Sequence, residues 1–344
     1  MTRHILETTT PQNTRPQRTF VGRTLSVLLG SAGLLAVLAA VSTAEAQEHR
    51  WIAGTAVAAN DPIALATDDF AERVERLTDG EVVIETHHGA ALGGDRDLVE
   101  TILQGGIHLA TPGQALLSGW YRPAEVWTYP YLFDDADHKD RVWDAIRDDY
   151  AEAVVAEADL RPLVAVPRAP RLLTANQPVE TPEDMAGLKI RVPETQMWLR
   201  TFERFGASPT PLPFPDVYQA LRSGVIDGQE NPLSLSWNSG FFEVNTHLNL
   251  TEHMMQDNII VVGETFYQQL SSDQQEALQQ AARETEEEFR ARTQAETDEL
   301  MEKVREAGIV VTEVDKEAFR AALEGFSEEF PHVQEWVERA RTVE

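Results

Sequence analysis

In a chain with 57 acidic and only 29 basic residues, arginines set among apolar residues are the first place to look for chemistry. Arg168, Arg171 and Arg191 each lie in or beside an apolar, strand-like segment and not in a charged run. A guanidinium stays charged and offers paired N–H donors that match the two oxygens of a carboxylate. In Gly187-Leu188-Lys189-Ile190-Arg191-Val192-Pro193, strand alternation sends Arg191 to the face opposite Ile190 and Val192. On a cleft wall it would grip an anion. On a sheet surface it would pair with a neighbouring acid, and composition alone favours that plainer reading. Phe214-Pro215-Asp216-Val217-Tyr218 and Gly228-Gln229-Glu230-Asn231-Pro232 follow. The second reads as a Gly/Pro-bounded polar loop able to bind hydroxyls or the far oxygen of a carboxylate.

Other chemistries find no support. The chain has no G-x-G-x-x-G, no phosphate loop and no G-x-S-x-G elbow, and it contains no cysteine. His87 and His88 are adjacent, so on a strand they point to opposite faces, one packed and one solvated, and make a poor metal pair. His247 and His253 lack helical i, i+4 spacing, and Glu286-Glu287-Glu288 reads as the wet face of a helix. Carboxylates are too numerous for one pair to stand out as general acid and base. No enzyme, resident metal or cofactor is therefore nominated. The formal net charge of -28 repels phosphate backbones, which excludes nucleic acid as a partner.

The elements that must position these groups alternate. Trp51 to Ala59 reads as a strand, then Asp61-Pro62 opens a helix with Ile63, Ala66, Phe70, Val74 and Leu77 at helical spacing. Glu81 to Thr86 is a strand, Asp95 caps a helix ending at Gly105-Gly106, and Ile107 to Thr111 is a strand. Leu163–Val166 reads as a strand, the rhythm changes around residue 168, and strands at Arg171–Ala175 and Lys189–Val192 follow. Thr181 caps a helical turn, Gln196 to Phe205 is a helix with Trp198, Phe202 and Phe205 inward, and Pro215 opens another ending near Gly224. An acidic helical pattern then runs from Ser272 to about Ala307. At ~1.5 Å per residue it would span roughly 50 Å, enough to brace two α/β units.

Upstream, residues 1–24 carry Arg3, Arg15, Arg18 and Arg23 against Glu7, and an apolar run from Leu25 to Val41 leads to Ala44-Glu45-Ala46. This is the order of a secretory signal with cleavage after Ala46. Cleavage removes more bases than acids, so the exported chain is more acidic still.

At GLKIRVPETQMWLRTFERFGASPTPLPFPDVYQALRSGVIDGQENPLS (187–234) the chain resembles the solute-binding proteins of tripartite ATP-independent periplasmic (TRAP) transporters, of the dicarboxylate-binding type. LGGDRDLVETILQGG (92–106) and Pro130-Tyr131-Leu132-Phe133-Asp134 extend the likeness over the mature sequence. The resemblance implies an α/β fold of the two-lobed periplasmic binding type (type II-like), with hinge strands and a long connecting helix. Residues 47–168 plus 257–296 would form lobe I and 169–256 plus 297–344 lobe II, after a signal peptide at 1–46. It implies that Arg191 salt-bridges a ligand carboxylate, with Arg171 and Asn231 beside it and Phe214 lining the pocket. Asp95 would reach the ligand's polar tail, and Glu194, His88 and Trp198 are further pocket positions, while Arg168 is either a third basic contact or a hinge ion pair. The expected protein is a periplasmic monomer that captures an organic acid and hands it to a TRAP membrane permease driven by an ion gradient. Glu194 and Asp95 point to a hydroxylated monocarboxylate such as a uronate or aldonate. The alternatives are a C4-dicarboxylate, its second charge met by Arg171 and Arg168, or a sensory protein presenting its ligand to a receptor. Arg191→Ala is expected to abolish binding and leave the melting temperature nearly unchanged.

Overall fold

The computed structural model describes residues 49–343. The export segment and its cleavage site after Ala46 lie outside the described residues. Within them, no helix is long and apolar enough to cross a membrane.

Two sheets organise the chain. The first is five-stranded, in the order β2-β1-β3-β10-β4, with β1 (His49–Gly54), β2 (Val82–His87), β3 (Leu109–Ala110), β4 (Leu160–Val166) and β10 (Asn258–Gly263). The second is six-stranded, in the order β11-β9-β5-β8-β6-β7. It contains β5 (Arg171–Ala175), β6 (Lys189–Val192), β7 (Ser208–Pro211), β8 (Gly228–Pro232), β9 (His247–Asn249) and β11 (Val310–Thr312). In each sheet, parallel pairs are interrupted by one strand that arrives from a distant part of the sequence. β10 runs antiparallel between β3 and β4, and β5 runs antiparallel between β8 and β9.

Helix α1 (Pro62–Leu77) forms as its spacing dictates: the Asp61 carboxylate accepts the Ile63 N–H at 3.0 Å, and Ile63, Ala66, Phe70 and Val74 are buried. β1 stops short of the expected Ala59. After Gly54 the chain turns toward the cleft, where Val57 joins its wall. Helix α2 (Asp95–Leu103) is capped one residue earlier than expected. Gly94 is its N-cap, and the Gly94 N–H is satisfied by the Asp97 carboxylate at 3.0 Å, which leaves Asp95 free for another task. The 23-residue helix α3 (Ala136–Ala158) has no counterpart in the sequence reading. Gly228–Pro232, read as a loop, is instead the buried strand β8. Any Cβ at Gly228 would lie 2.4 Å from the Thr174 carbonyl oxygen, so only glycine lets β8 pack so close to β5.

The long helix Ser272–Glu306 is capped reciprocally by Ser271 and Gln274. Its first half packs on α1, with Thr285 donating to Asp69 at 2.7 Å. Further along, Leu300 and Val304 are buried with Leu172, Leu233 and Leu248 of the second layer. The helix therefore braces both sheets. Glu286 corrects the wet-face reading: it is only 3% exposed, held between Arg147 and Arg290. Burial outweighs those two cations and raises its carboxyl to about 7.

The chain passes between the sheets beside a buried charge cluster. Asp257, just before β10, pairs with the buried Lys139 of α3 and accepts the Arg168 backbone N–H at 3.0 Å. The Arg168 side chain is paired with Asp61 at 2.9 Å. Past β11 the chain returns to the first layer's flank, where the Trp336 indole donates to the Tyr121 hydroxyl at 2.8 Å.

Candidate functional site

β6 delivers Arg191 as alternation requires: Ile190 and Val192 join the hydrophobic core, and Arg191 enters a cavity between the two layers. Its Nε and Nη2 donate to the Leu212 carbonyl at 2.9 and 2.6 Å. Nη1 has no hydrogen-bond partner among the described residues. The guanidinium carbon lies 6.0 Å from the centre of the Phe214 ring. Burial, with the like charge of Arg171, lowers the pKa of this group to about 10, and the charges of Glu230, Asp95 and Glu194 compensate only in part. A buried cation with an unspent N–H donor is unstable alone and attracts an anion.

Asp95 faces it from the N-terminus of α2. Burial pushes the Asp95 carboxyl up to about 6, against the opposing pull of Arg191 and the Gly113 backbone N–H. Gly113 has a steric reason to be glycine: a Cβ there would lie 2.9 Å from the Gln256 amide nitrogen.

Arg171 is held differently. Its Nε and Nη2 donate to the two Glu230 carboxylate oxygens at 2.5 and 2.8 Å, and Nη2 also reaches the Asn231 side-chain oxygen at 2.7 Å. The His253 Nε2–H donates to the same carboxylate at 3.0 Å, and its Nδ1 accepts from the Thr251 hydroxyl at 2.8 Å. Burial lowers the His253 pKa and keeps the ring neutral. Burial alone would raise Glu230, but Arg171 and the His253 bond prevail and hold it at about 2. Trp198 packs 5.1 Å from the Arg171 guanidinium, and the Asn231 amide N–H bonds to Gln229, itself fixed by Thr174 and Ser236.

The cavity measures about 180 Å³. Arg191, Arg171, Asn231, Phe214, Asp95, Glu194 and Trp198 all line it. His88 does not: its ring nitrogens are taken by the Thr55 hydroxyl and the Asp68 carboxylate, each at 2.9 Å. Arg168 is also outside the lining, committed to Asp61. Sequence reasoning missed Arg96, Asp97, Gln256 and Asn258 in the wall. The signal for the last two was a polar triplet, Gln256-Asp257-Asn258, directly before the apolar run Ile259–Val262. It missed Glu230 and His253 as supports, whose partners lie far away in sequence. Among the described residues, no cluster of acidic and histidine side chains could hold a metal ion.

A family model for bacterial extracellular solute-binding proteins, family 7, matches residues 53–332. A solute-binding protein of Roseobacter denitrificans is 32% identical over 302 residues, covering 87% of this chain and 93% of the relative. The structure of a TRAP periplasmic solute-binding protein from the same organism with bound L-galactonate matches with a TM-score of 0.79 at 32% identity, over 84% of this chain and 99% of that one. One from Chromohalobacter salexigens with bound D-glucuronate matches with a TM-score of 0.81 at 30% identity, over 86% of this chain and 100% of that one.

Proposed function

Because the chain belongs to the family 7 bacterial extracellular solute-binding proteins, the TRAP periplasmic type, we propose that it captures a small hydroxylated monocarboxylate, a uronate or aldonate, and has no catalytic activity of its own. The observation that carries this reading is the incompletely compensated Arg191 cation lining the cavity between the two sheets. The ligand's carboxylate docks on the Arg191 Nη1 edge, with Asn231 and Arg171 beside it. Each charge-assisted bond contributes about 1.5–3 kcal/mol, so a few reach the ~8 kcal/mol of micromolar binding. Asp97 and Glu194 accept hydrogen bonds from the ligand's hydroxyls and disfavour a second carboxylate, while Asp95 lies beside the ligand's polar tail. The sugar acids bound by the two structural relatives support the same class. A C4-dicarboxylate loses its expected second anchors, because Arg171 is neutralised by Glu230 and Arg168 by Asp61.

The protein works as a monomer, exported to the periplasm with cleavage after Ala46. There it closes residues 47–168 plus 257–296 on 169–256 plus 297–344 and presents the closed form to its permease. The membership of the two sheets supports the placing of the strands in this division, although the C-terminal segment packs on the first layer through Trp336 and Tyr121. Closure expels water, which strengthens the charged bonds that hold the ligand.

The test is a thermal-shift and calorimetric panel on residues 47–344: uronates, aldonates, C4-dicarboxylates, sulfonates and neutral sugars. Uronates or aldonates are expected to give the largest stabilisation. A shift with neutral sugars alone overturns the carboxylate clamp.

Asp95 also sets a pH dependence. A bound carboxylate draws on Arg191 and adds a negative charge, so the Asp95 pKa rises above about 6 on binding. A group whose pKa rises on binding takes up a proton, so affinity should fall as pH increases from 6 to 8, by up to ~10-fold per unit. Calorimetry in buffers of different ionisation enthalpy should show net proton uptake, and Asp95→Asn should remove it.

A further inference from the structure

Helix α4 (Gln196–Arg204) carries Trp198 and follows directly on Arg191, Pro193 and Glu194, so its start fixes one wall of the cavity. Such a start normally takes its cap from the preceding side chain. Here the N-cap Thr195 makes no capping bond, and its hydroxyl is buried without a partner. The first N–H groups of the helix are satisfied from elsewhere. One oxygen of Glu125, a residue only 4% exposed in the 3-10 segment Arg122–Thr128 between β3 and α3, accepts from Gln196 N at 3.1 Å and Met197 N at 3.2 Å. Its other oxygen accepts from the His332 Nε2–H at 2.9 Å. One carboxylate thus joins a first-layer segment, the clamp helix and the C-terminal segment.

We propose that Glu125 is a positioning residue for ligand capture, holding the start of α4 so that Arg191, Glu194 and Trp198 keep the geometry that receives the ligand. This rests on the sugar-acid reading given above. A carboxylate at a helix N-terminus fits the task, because it meets both the unpaired N–H groups and the positive end of the helix dipole. The position is decided from outside the second sheet, by a residue that never touches the ligand.

The test compares wild-type protein with Glu125→Ala, Glu125→Gln and the double variant Glu125→Ala/Thr195→Asp. The readouts are D-glucuronate affinity and hydrogen exchange at the Gln196 and Met197 amides. Glu125→Ala should speed exchange at those two amides and weaken binding roughly tenfold, the scale of a lost helix cap. Glu125→Gln, nearly the same shape, should lose less and stay folded if the alanine variant does not. The local aspartate cap in the double variant should recover both exchange protection and affinity, which a merely stabilising role would not require. Affinity within twofold of wild type in Glu125→Ala overturns the proposal, as does a double variant that recovers protection without affinity. If wild-type protein binds no sugar acid, the functional reading fails instead, and the exchange data still report whether Glu125 holds α4.

Discussion

Replacing Arg191 with alanine should weaken sugar-acid binding by roughly 10²–10⁴-fold, the loss of two charge-assisted hydrogen bonds to a carboxylate at about 1.5–3 kcal/mol each. The effect on folding should be far smaller, because two contributions oppose. The substitution removes the bonds that Nε and Nη2 make to the Leu212 carbonyl. It also removes a buried cation whose pKa is lowered to about 10. A base whose pKa falls on folding destabilises the native state at every pH below the lowered value, and that penalty disappears with the side chain. Calorimetry should therefore show lost binding beside a melting temperature within a few degrees of wild type. Sugar-acid binding retained at wild-type affinity would sink the clamp.

The largest effect on stability should come from Glu230→Gln. Glu230 is fully buried between Arg171 and His253, so removing its charge strands a buried guanidinium. Breaking such a pair by deleting one partner costs about 3–5 kcal/mol. In a chain of this size that lowers the melting temperature by on the order of 10 °C. Binding should weaken as well, because Arg171 loses the bidentate hold that directs it toward Asn231 and the cavity. The carboxyl of the native protein sits at about 2, below its ordinary 4.5. Its stabilising contribution is thus complete above about pH 4.5 and disappears as pH falls through 2. Acid titration of unfolding should show this loss in wild type and a flatter curve in Glu230→Gln. Matching acid curves would mean that the Arg171–Glu230 pair does not stabilise the fold.

Local pattern placed Arg191 off the core face, whereas Asp95, Asn231 and Phe214 came to the cleft through the family resemblance. Arg191 stood out because a charged residue flanked by Ile190 and Val192 in a short strand must leave the core face. α1 and the long helix were legible because caps and apolar spacing agree along one stretch of chain. What failed depended on partners distant in sequence. β8 reads as a loop in the sequence because Gln229, Glu230 and Asn231 break apolar alternation. They are buried only because Arg171, His253, Thr174 and Ser236 satisfy them from other elements. Glu286 looked solvated beside Glu287 and Glu288, and only its packing against Arg147 and Arg290 buries it. His88 carried a residue type suited to a pocket, yet Thr55 and Asp68 claim both of its nitrogens. α3 escaped notice because its apolar residues are diluted by a broad charged surface.

The carboxylate of Asp257 touches two of the connections between the sheets, the long helix Ser272–Glu306 making a third. It stands on the returning chain, takes the Arg168 N–H of the outgoing one, and is anchored by Lys139 on α3. Two chain crossings tied at one point resist sliding past each other, which favours an opening rotation whose axis lies near Asp257. Displacement then grows with distance from that axis: smallest at Arg168, largest at the rim where Gly94 of one layer meets Pro213 and Pro215 of the other. Spin labels on opposite sides of that rim should separate widely when ligand is withdrawn, whereas a pair flanking Arg168 and Asp257 should keep its spacing.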